Sequence, residues 1–279
     1  MPYAANEACS LYYETFGDPA DPALLLINGM TSQCIFYPEE WCELFVATGL
    51  FVIRMDNRDV GLSSDCAGVS YSLAEMAHDC VAVLDACNVG RAHVHGLSLG
   101  GMIAQTLAIN HPDRVLSLTS VMSSSGENEY RKSDPAVQRL LNQPSPTTPD
   151  QYIDQHIEGL RAYGSPKFAD ENRWRRDATA AVERSFRPDG PARQYRAAIA
   201  SGSRETGLRA LRIPTLVMHG SHDALIYPVA GRRTAALVRG ARFVLLDGLG
   251  HDYPPQMWNL WTGLVSAHIN SCNAMSSSA

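Results

Sequence analysis

A serine with glycine two residues to either side, Gly96-Leu97-Ser98-Leu99-Gly100, is the strongest candidate for chemistry in this chain. It sits between an apolar run, Ala92–His95, and a helix-forming run that begins at Gly101. A strand that turns sharply into a helix drives its central residue toward positive φ, lifts that side chain clear, and aims neighbouring backbone N–H groups at the same point. Side chains at 96 and 100 would collide across such a bend, and glycine removes them. The chemistry this arrangement suits is attack of the Ser98 hydroxyl on a carbonyl carbon.

A serine hydroxyl is a poor nucleophile unless a base stands within hydrogen-bond reach. His251 is the candidate base, because it follows a strand-like run, Arg242–Leu246, on the loop Gly248-Leu-Gly-His251. His93 and His95 belong to the strand before Ser98, His78 to a helical stretch and His268 to the last helix, which are structural settings. A carboxylate should orient the imidazole and stabilise its charged form. Asp223 fits, in the loop Gly220-Ser-His-Asp223 after the strand Thr215–Met218; Asp247, Asp252 and Glu127 compete for the role. The chain order Ser98, Asp223, His251 is that of a serine nucleophile on a parallel sheet. A base must be neutral, so activity should fall as acid protonates His251. The developing oxyanion needs two backbone donors. The N–H of Leu99 and that of Met30, in the loop Asn28-Gly29-Met30, are assigned to it, with Gly29 allowing close approach to substrate.

These residues require a platform. Leu11–Phe16 alternates in character and reads as an antiparallel strand, Ala23–Ile27 reads as a strand buried on both faces, Leu50–Arg54 as the next buried strand, and Arg91–His95 and Val115–Ser120 as further strands. Helical patterns separate them at Pro38–Thr48, Leu73–Cys87 and Gly101–Asn110. From Ser123 to Arg212 no strand is expected, only helical patches at Gln151–Arg161, Asn172–Ser185 and Ala192–Ala200. The last elements are the strands Thr215–Met218 and Arg242–Leu246 and a helix over Gln256–His268; the tail Ser276–Ala279 is expected to be disordered. Alternating strands and helices predict an α/β fold with a mostly parallel sheet covered on both faces. The organisation expected is one core, 1–122 and 213–279, with a helical cap inserted at 123–212.

A chain of 279 residues with 45% hydrophobic content supports a single large core. A net charge of −6 implies neither a nucleic-acid nor a membrane partner. The arginines at 173, 175, 176, 184, 187, 193 and 196 are interleaved with acids and read as a solvated helical face with i,i+4 pairs. Seven scattered cysteines without a Cys-x-x-Cys pair, and no signal peptide, point to a reducing cytoplasm. Cys34, close after the Met30 loop, is a candidate for a pocket wall. The polar loop Asp56–Ser63 reads as a buttress whose side chains bond backbone groups. No metal site is expected, since no ligand spacing completes the His93/His95 pair, and no nucleotide-binding loop is present. Nothing in the sequence sets an oligomeric state.

Taken together, the Asn28-Gly29 loop, Asp56–Ser63, the Ser98 turn, Gly220–Asp223 and Gly250-His251 resemble the α/β-hydrolase fold superfamily over nearly the whole chain. Tyr13–Leu26, Val52–Ser63 and Arg91–Ser98 are similar to the aclacinomycin methylesterase branch, which cleaves a carbomethoxy group from polyketides. The resemblance implies an eight-stranded sheet and a cofactor-free serine esterase acting on a small apolar molecule, through the triad Ser98, Asp223 and His251. Asn28 stands where the superfamily usually has histidine. Candidates for the substrate wall are Asn28, Gly29, Met122, Tyr152, Trp174 and Tyr195. The same triad also serves lactonases, C–C hydrolases, perhydrolases, lyases and cyclases on this fold, and receptor-like proteins of low turnover.

Overall fold

The computed structural model describes residues 2–7, 9–130 and 132–276. Eight strands form one sheet: β1 (Tyr3–Asn6), β2 (Cys9–Phe16), β3 (Ala23–Ile27), β4 (Phe51–Met55), β5 (Ala92–Leu97), β6 (Val115–Val121), β7 (Thr215–Gly220) and β8 (Arg242–Leu246). Their order across the sheet is β1-β2-β4-β3-β5-β6-β7-β8. The pairs β1–β2 and β2–β4 are antiparallel and the rest are parallel, so the sheet is mostly parallel as expected. The edge strand β1 is not anticipated from the sequence; with four residues and two of them exposed, it carries too little alternation to be read.

All five residues of β3 and all five of β4 are buried, which explains their unbroken apolar character. Successive side chains serve opposite faces. Leu25 and Ile27 join one core, with α2 (Leu73–Ala86), α3 (Leu99–Asn110) and α9 (Pro228–Leu237). Leu24 and Leu26 join the other, with Trp41 and Phe45 of α1 (Glu39–Val46) and Trp261, Val265 and Ile269 of α10 (Trp258–Ser276). Each such fully buried large side chain contributes roughly 1.5–3 kcal/mol. A capping box between Ser72 and Glu75 starts α2. The helix α9 is missing from the sequence reading, being short and containing Gly231, whose site leaves no room for a side chain beside the His219 ring. The tail lies beyond the described residues apart from Ser276, which closes α10.

Between β6 and β7 the described chain contains no strand. It forms α4 (Pro135–Leu141), α5 (Pro149–Tyr163), α6 (Glu171–Arg184), α7 (Gly190–Ala200) and α8 (Glu205–Ala210). A small cluster of Ile153, Ile157, Trp174 and Ala178 joins α5 to α6, whereas Leu208 of α8 is buried in the main core.

Two arginines of the basic stretch depart from the solvated face expected of it. Arg184 of α6 donates to Asp56 at 2.8 Å and Arg193 of α7 to Asp59 at 2.7 Å, and both aspartates are completely buried. The loop after β4 is therefore a buttress that also carries these helices. Asp56 accepts from the N–H groups of Cys34 and Leu62, and Ser63 Oγ donates to the Asp56 carbonyl. Arg175 is a solvated residue, its pair with Asp154 at 3.4 Å being more than half exposed on both sides.

Candidate active site

The chain leaves β5 and enters α3 at Ser98, the N-cap of that helix, with φ 54° and ψ −117°. A non-glycine residue there stores roughly 1–3 kcal/mol of strain. The strain is held by close packing. A Cβ on Gly96 would lie 2.1 Å from the Gly100 carbonyl oxygen, and one on Gly100 would lie 2.1 Å from that of Ile27. The Ser98 N–H continues the ladder to Val121 at 2.8 Å, and the Ser98 carbonyl accepts from Gly101, Met102 and the Ser123 hydroxyl. Among the described residues the Ser98 hydroxyl itself has no hydrogen-bond partner, and it faces a cavity of about 220 Å³.

His251 borders the same cavity. Its Nδ1 lies 2.7 Å from Asp223 Oδ2, and its N–H donates to the Tyr163 carbonyl at the end of α5 at 2.6 Å. Asp223 is buried and also receives the N–H groups of Leu225 and Ile226 on Oδ1. A second histidine stands behind it: His219 Nε2 is 3.1 Å from Asp223 Oδ2 and 2.8 Å from the Ile226 carbonyl. Burial would raise the Asp223 carboxyl. The charge of His251, together with hydrogen bonds from His219 and His251, outweighs burial and holds it down at about 2. Asp223 is thus an anion at every physiological pH, able to fix an imidazole with its Nδ1 proton toward the carboxylate.

The competing acids are occupied elsewhere. Glu127 pairs with Arg233, Asp247 accepts from Ser221, and Asp252 accepts from the Ser165 backbone N–H and hydroxyl. His93 and His95 are structural. His93 Nδ1 meets the Ser117 hydroxyl, and His95 lies between the Tyr37 hydroxyl and the Trp261 indole N–H. No group of metal-ligating side chains occurs among the described residues.

Met30 borders the cavity, and Leu99 follows Ser98 in the chain. Among the described residues neither N–H donates to another backbone carbonyl. Leu99 opens α3, where the first N–H groups of a helix lack internal partners and its dipole is positive. Gly29 packs directly on the serine, for a Cβ there would sit 3.3 Å from Ser98 Cβ.

The wall residues expected from the sequence divide. Gly29 and Trp174 line the cavity, as does Met30, assigned to the oxyanion. The other four do not. Asn28 is fully buried, donating to the Gln33 carbonyl at 2.8 Å and accepting from Tyr253, so it braces the loop. Met122 is fully buried in the α1–α10 core. Tyr195 is 55% exposed on the surface of α7, and the Tyr152 phenol sits beside the Thr31 hydroxyl. Cys34 is likewise no wall residue: it is buried against Arg184. For Tyr152 and Tyr195, sequence periodicity places an aromatic on a helix but does not show which way that helix turns it.

The walls are completed by residues the sequence reading passes over. Phe36, His156, Tyr163 and Tyr253 give an aromatic lining beside Leu160, and Arg173 and Asp177 of α6 add an ion pair at 3.2 Å. Burial pushes His156 down to about 4, so its imidazole is neutral. Larger shallow hollows of about 530 and 500 Å³ lie on the outer faces of α6 and of α4–α5, and no serine or histidine lines them.

A family model described as alpha/beta hydrolase fold matches residues 22–254. The chain is 33% identical to the rhodomycin D methylesterase DnrP of Streptomyces peucetius, over 95% of this chain and 97% of that one. Among solved structures, a hydrolase from Pseudomonas aeruginosa PA01 superposes with a TM-score of 0.75 at 25% identity, covering 97% of both chains. Est816, an N-acyl homoserine lactone degrading enzyme, superposes with a TM-score of 0.75 at 25% identity, over 94% of this chain and 99% of that one.

Proposed function

The chain belongs to the α/β-hydrolase family, and from that premise we propose that it is a serine esterase that cleaves a carboxylic ester, with a methyl ester of an apolar, polyketide-like molecule as the preferred class. One observation carries this reading: Ser98, strained at the sheet-to-helix turn, and His251, bonded to a buried Asp223 anion, face one aromatic-lined cavity. Similarity to a methylesterase over nearly the full length supports the ester class.

In this reading His251 Nε2 takes the Ser98 proton while Oγ adds to the ester carbonyl carbon, and the carbonyl electron pair moves to oxygen. The Met30 and Leu99 N–H groups receive that oxyanion. The tetrahedral intermediate then collapses and the C–O bond breaks. The alcohol leaves with the proton from His251, and water repeats the sequence to release the acid. Asp223 stabilises the imidazolium at each stage. Residues 123–212 act as a cap, of which α5 and α6 supply the roof of the cavity. A cavity of about 220 Å³ takes the ester and a compact apolar portion, so a polycyclic body would extend through the mouth.

A fluorophosphonate should label Ser98, and methanol should be released from methyl esters of aromatic acids. Ser98→Ala should abolish both. Hydrolysis that survives in Ser98→Ala would refute the reading.

A further inference from the structure

The loop that carries Met30 is held from above. Gly29 to Ser32 form a turn closed by the Ser32 N–H and the Gly29 carbonyl at 3.4 Å, with Thr31 at φ 69°. That third position of a turn favours glycine or asparagine, and a β-branched residue there is an outlier. Such a conformation persists only where the surroundings impose it. The Tyr152 phenol meets the Thr31 hydroxyl, and the Thr31 backbone is held by Gln194 of α7, whose side chain is fully buried and does not border the cavity. Its Oε1 accepts the Thr31 N–H at 3.2 Å, and its Nε2 donates to the Arg58 carbonyl at 2.8 Å, in the buttress loop. One amide thus ties α7, the Met30 turn and the buttress together across 163 and 136 residues of sequence. Gln33, at the far end of the same loop, donates to the Ala181 and Ser185 carbonyls at 2.6 and 3.0 Å.

We infer that Gln194 is a positioning residue for the oxyanion site: by holding the Thr31 N–H it fixes the Met30–Thr31 peptide and, through the Met30 backbone dihedrals, restrains the preceding Gly29–Met30 peptide whose N–H points at the substrate, so that docking of α7 completes the catalytic centre. This rests on the role proposed above for Met30. An oxyanion donor acts only when aimed at the place the charge will occupy, and a small rotation of its peptide withdraws it. Ground-state binding, made by the aromatic walls, does not depend on that orientation.

The test compares Gln194→Leu with Gln194→Glu, which keeps an acceptor for the Thr31 N–H. With p-nitrophenyl butyrate, Gln194→Leu should lower kcat about tenfold or more with KM nearly unchanged. Affinity for a trifluoromethyl ketone, which adds to Ser98 as a tetrahedral oxyanion, should fall by the same factor as kcat/KM. Gln194→Glu should recover most of both. A folded Gln194→Leu, verified by near-ultraviolet circular dichroism, with wild-type kcat and inhibitor affinity would overturn the inference, as would a loss confined to KM. Should the wild type neither hydrolyse esters nor take up a fluorophosphonate, the proposed function fails, and amide exchange decides this point separately. Faster exchange at Thr31 in Gln194→Leu would support positioning of the loop, and unchanged exchange would overturn it.

Discussion

The sheet end of the site and its roof are built by different means. At the sheet end, backbone meets backbone. Gly96, Gly100 and Ile27 pack with no space for a methyl group, and Ser98 extends a strand ladder. In the roof, long polar side chains reach down to the platform: Arg184 to Asp56, Arg193 to Asp59, Gln194 to Thr31 and Arg58. The apolar cluster between α5 and α6 is small beside the two sheet cores. The platform is specified by shape, whereas the placement of the roof also depends on particular polar groups. The sheet side should tolerate almost no change in volume, and the roof almost no loss of those particular groups.

The comparison can be broken most sharply at Asp223. If the platform supplies the chemistry, Asp223→Asn should lower kcat on the order of 10³–10⁴-fold, because the amide holds the imidazole in the wrong tautomer. Steady-state rates on a p-nitrophenyl ester measure this, and a loss below tenfold would move the chemistry elsewhere. Next comes attachment of the roof. Arg184→Met strands a buried aspartate and should cost about 3 kcal/mol in urea denaturation. The exposed Arg175→Met should cost about 0.5 kcal/mol or less. Equal losses would erase the distinction between clamp and solvated face.

The platform should also show a pH dependence of its own. Burial pushes His93 and His95 down to about 4 in the folded protein. Trp261 can only donate, so His95 Nε2 must accept and stay unprotonated. The unfolded chain has histidines near 6.5 and takes up more protons in acid. This stability is therefore fully present above pH about 6.5 and is lost progressively as pH falls toward 4. Asp223, held at about 2, adds its own loss only below its ordinary carboxylate value of 3.8. The urea midpoint should decline between pH 7 and 4.5, and a flat profile would contradict the neutral, buried state of both rings.

The division between sheet and roof also marks what could be read from sequence. Continuous apolar runs and glycine spacing are local signals, so Ala23–Ile27, the Ser98 turn and the loops of Asp223 and His251 were legible without coordinates. His219 could have been noticed, four residues before Asp223 at a strand end, but a lone histidine in a buried strand gives no hint that its Nε2 faces a carboxylate. Gln33 and Gln194 carry no local signal at all. Their side-chain partners lie more than a hundred residues away, and Gln194, in an amphipathic helix, looks like solvent-facing polarity. Arg184 and Arg193 were misread for the same reason: composition does not distinguish a guanidinium in water from one above a buried carboxylate.

The attachment of residues 123–212 through particular polar side chains has a practical meaning for chimeras. A foreign helical cassette spliced between β6 and β7 could bring a new pocket shape while leaving the Ser98 turn untouched. It would have to import equivalents of Arg184, Arg193 and Gln194 at matching heights, because Asp56 and Asp59 would otherwise lose their charge partners and the Thr31 N–H its acceptor.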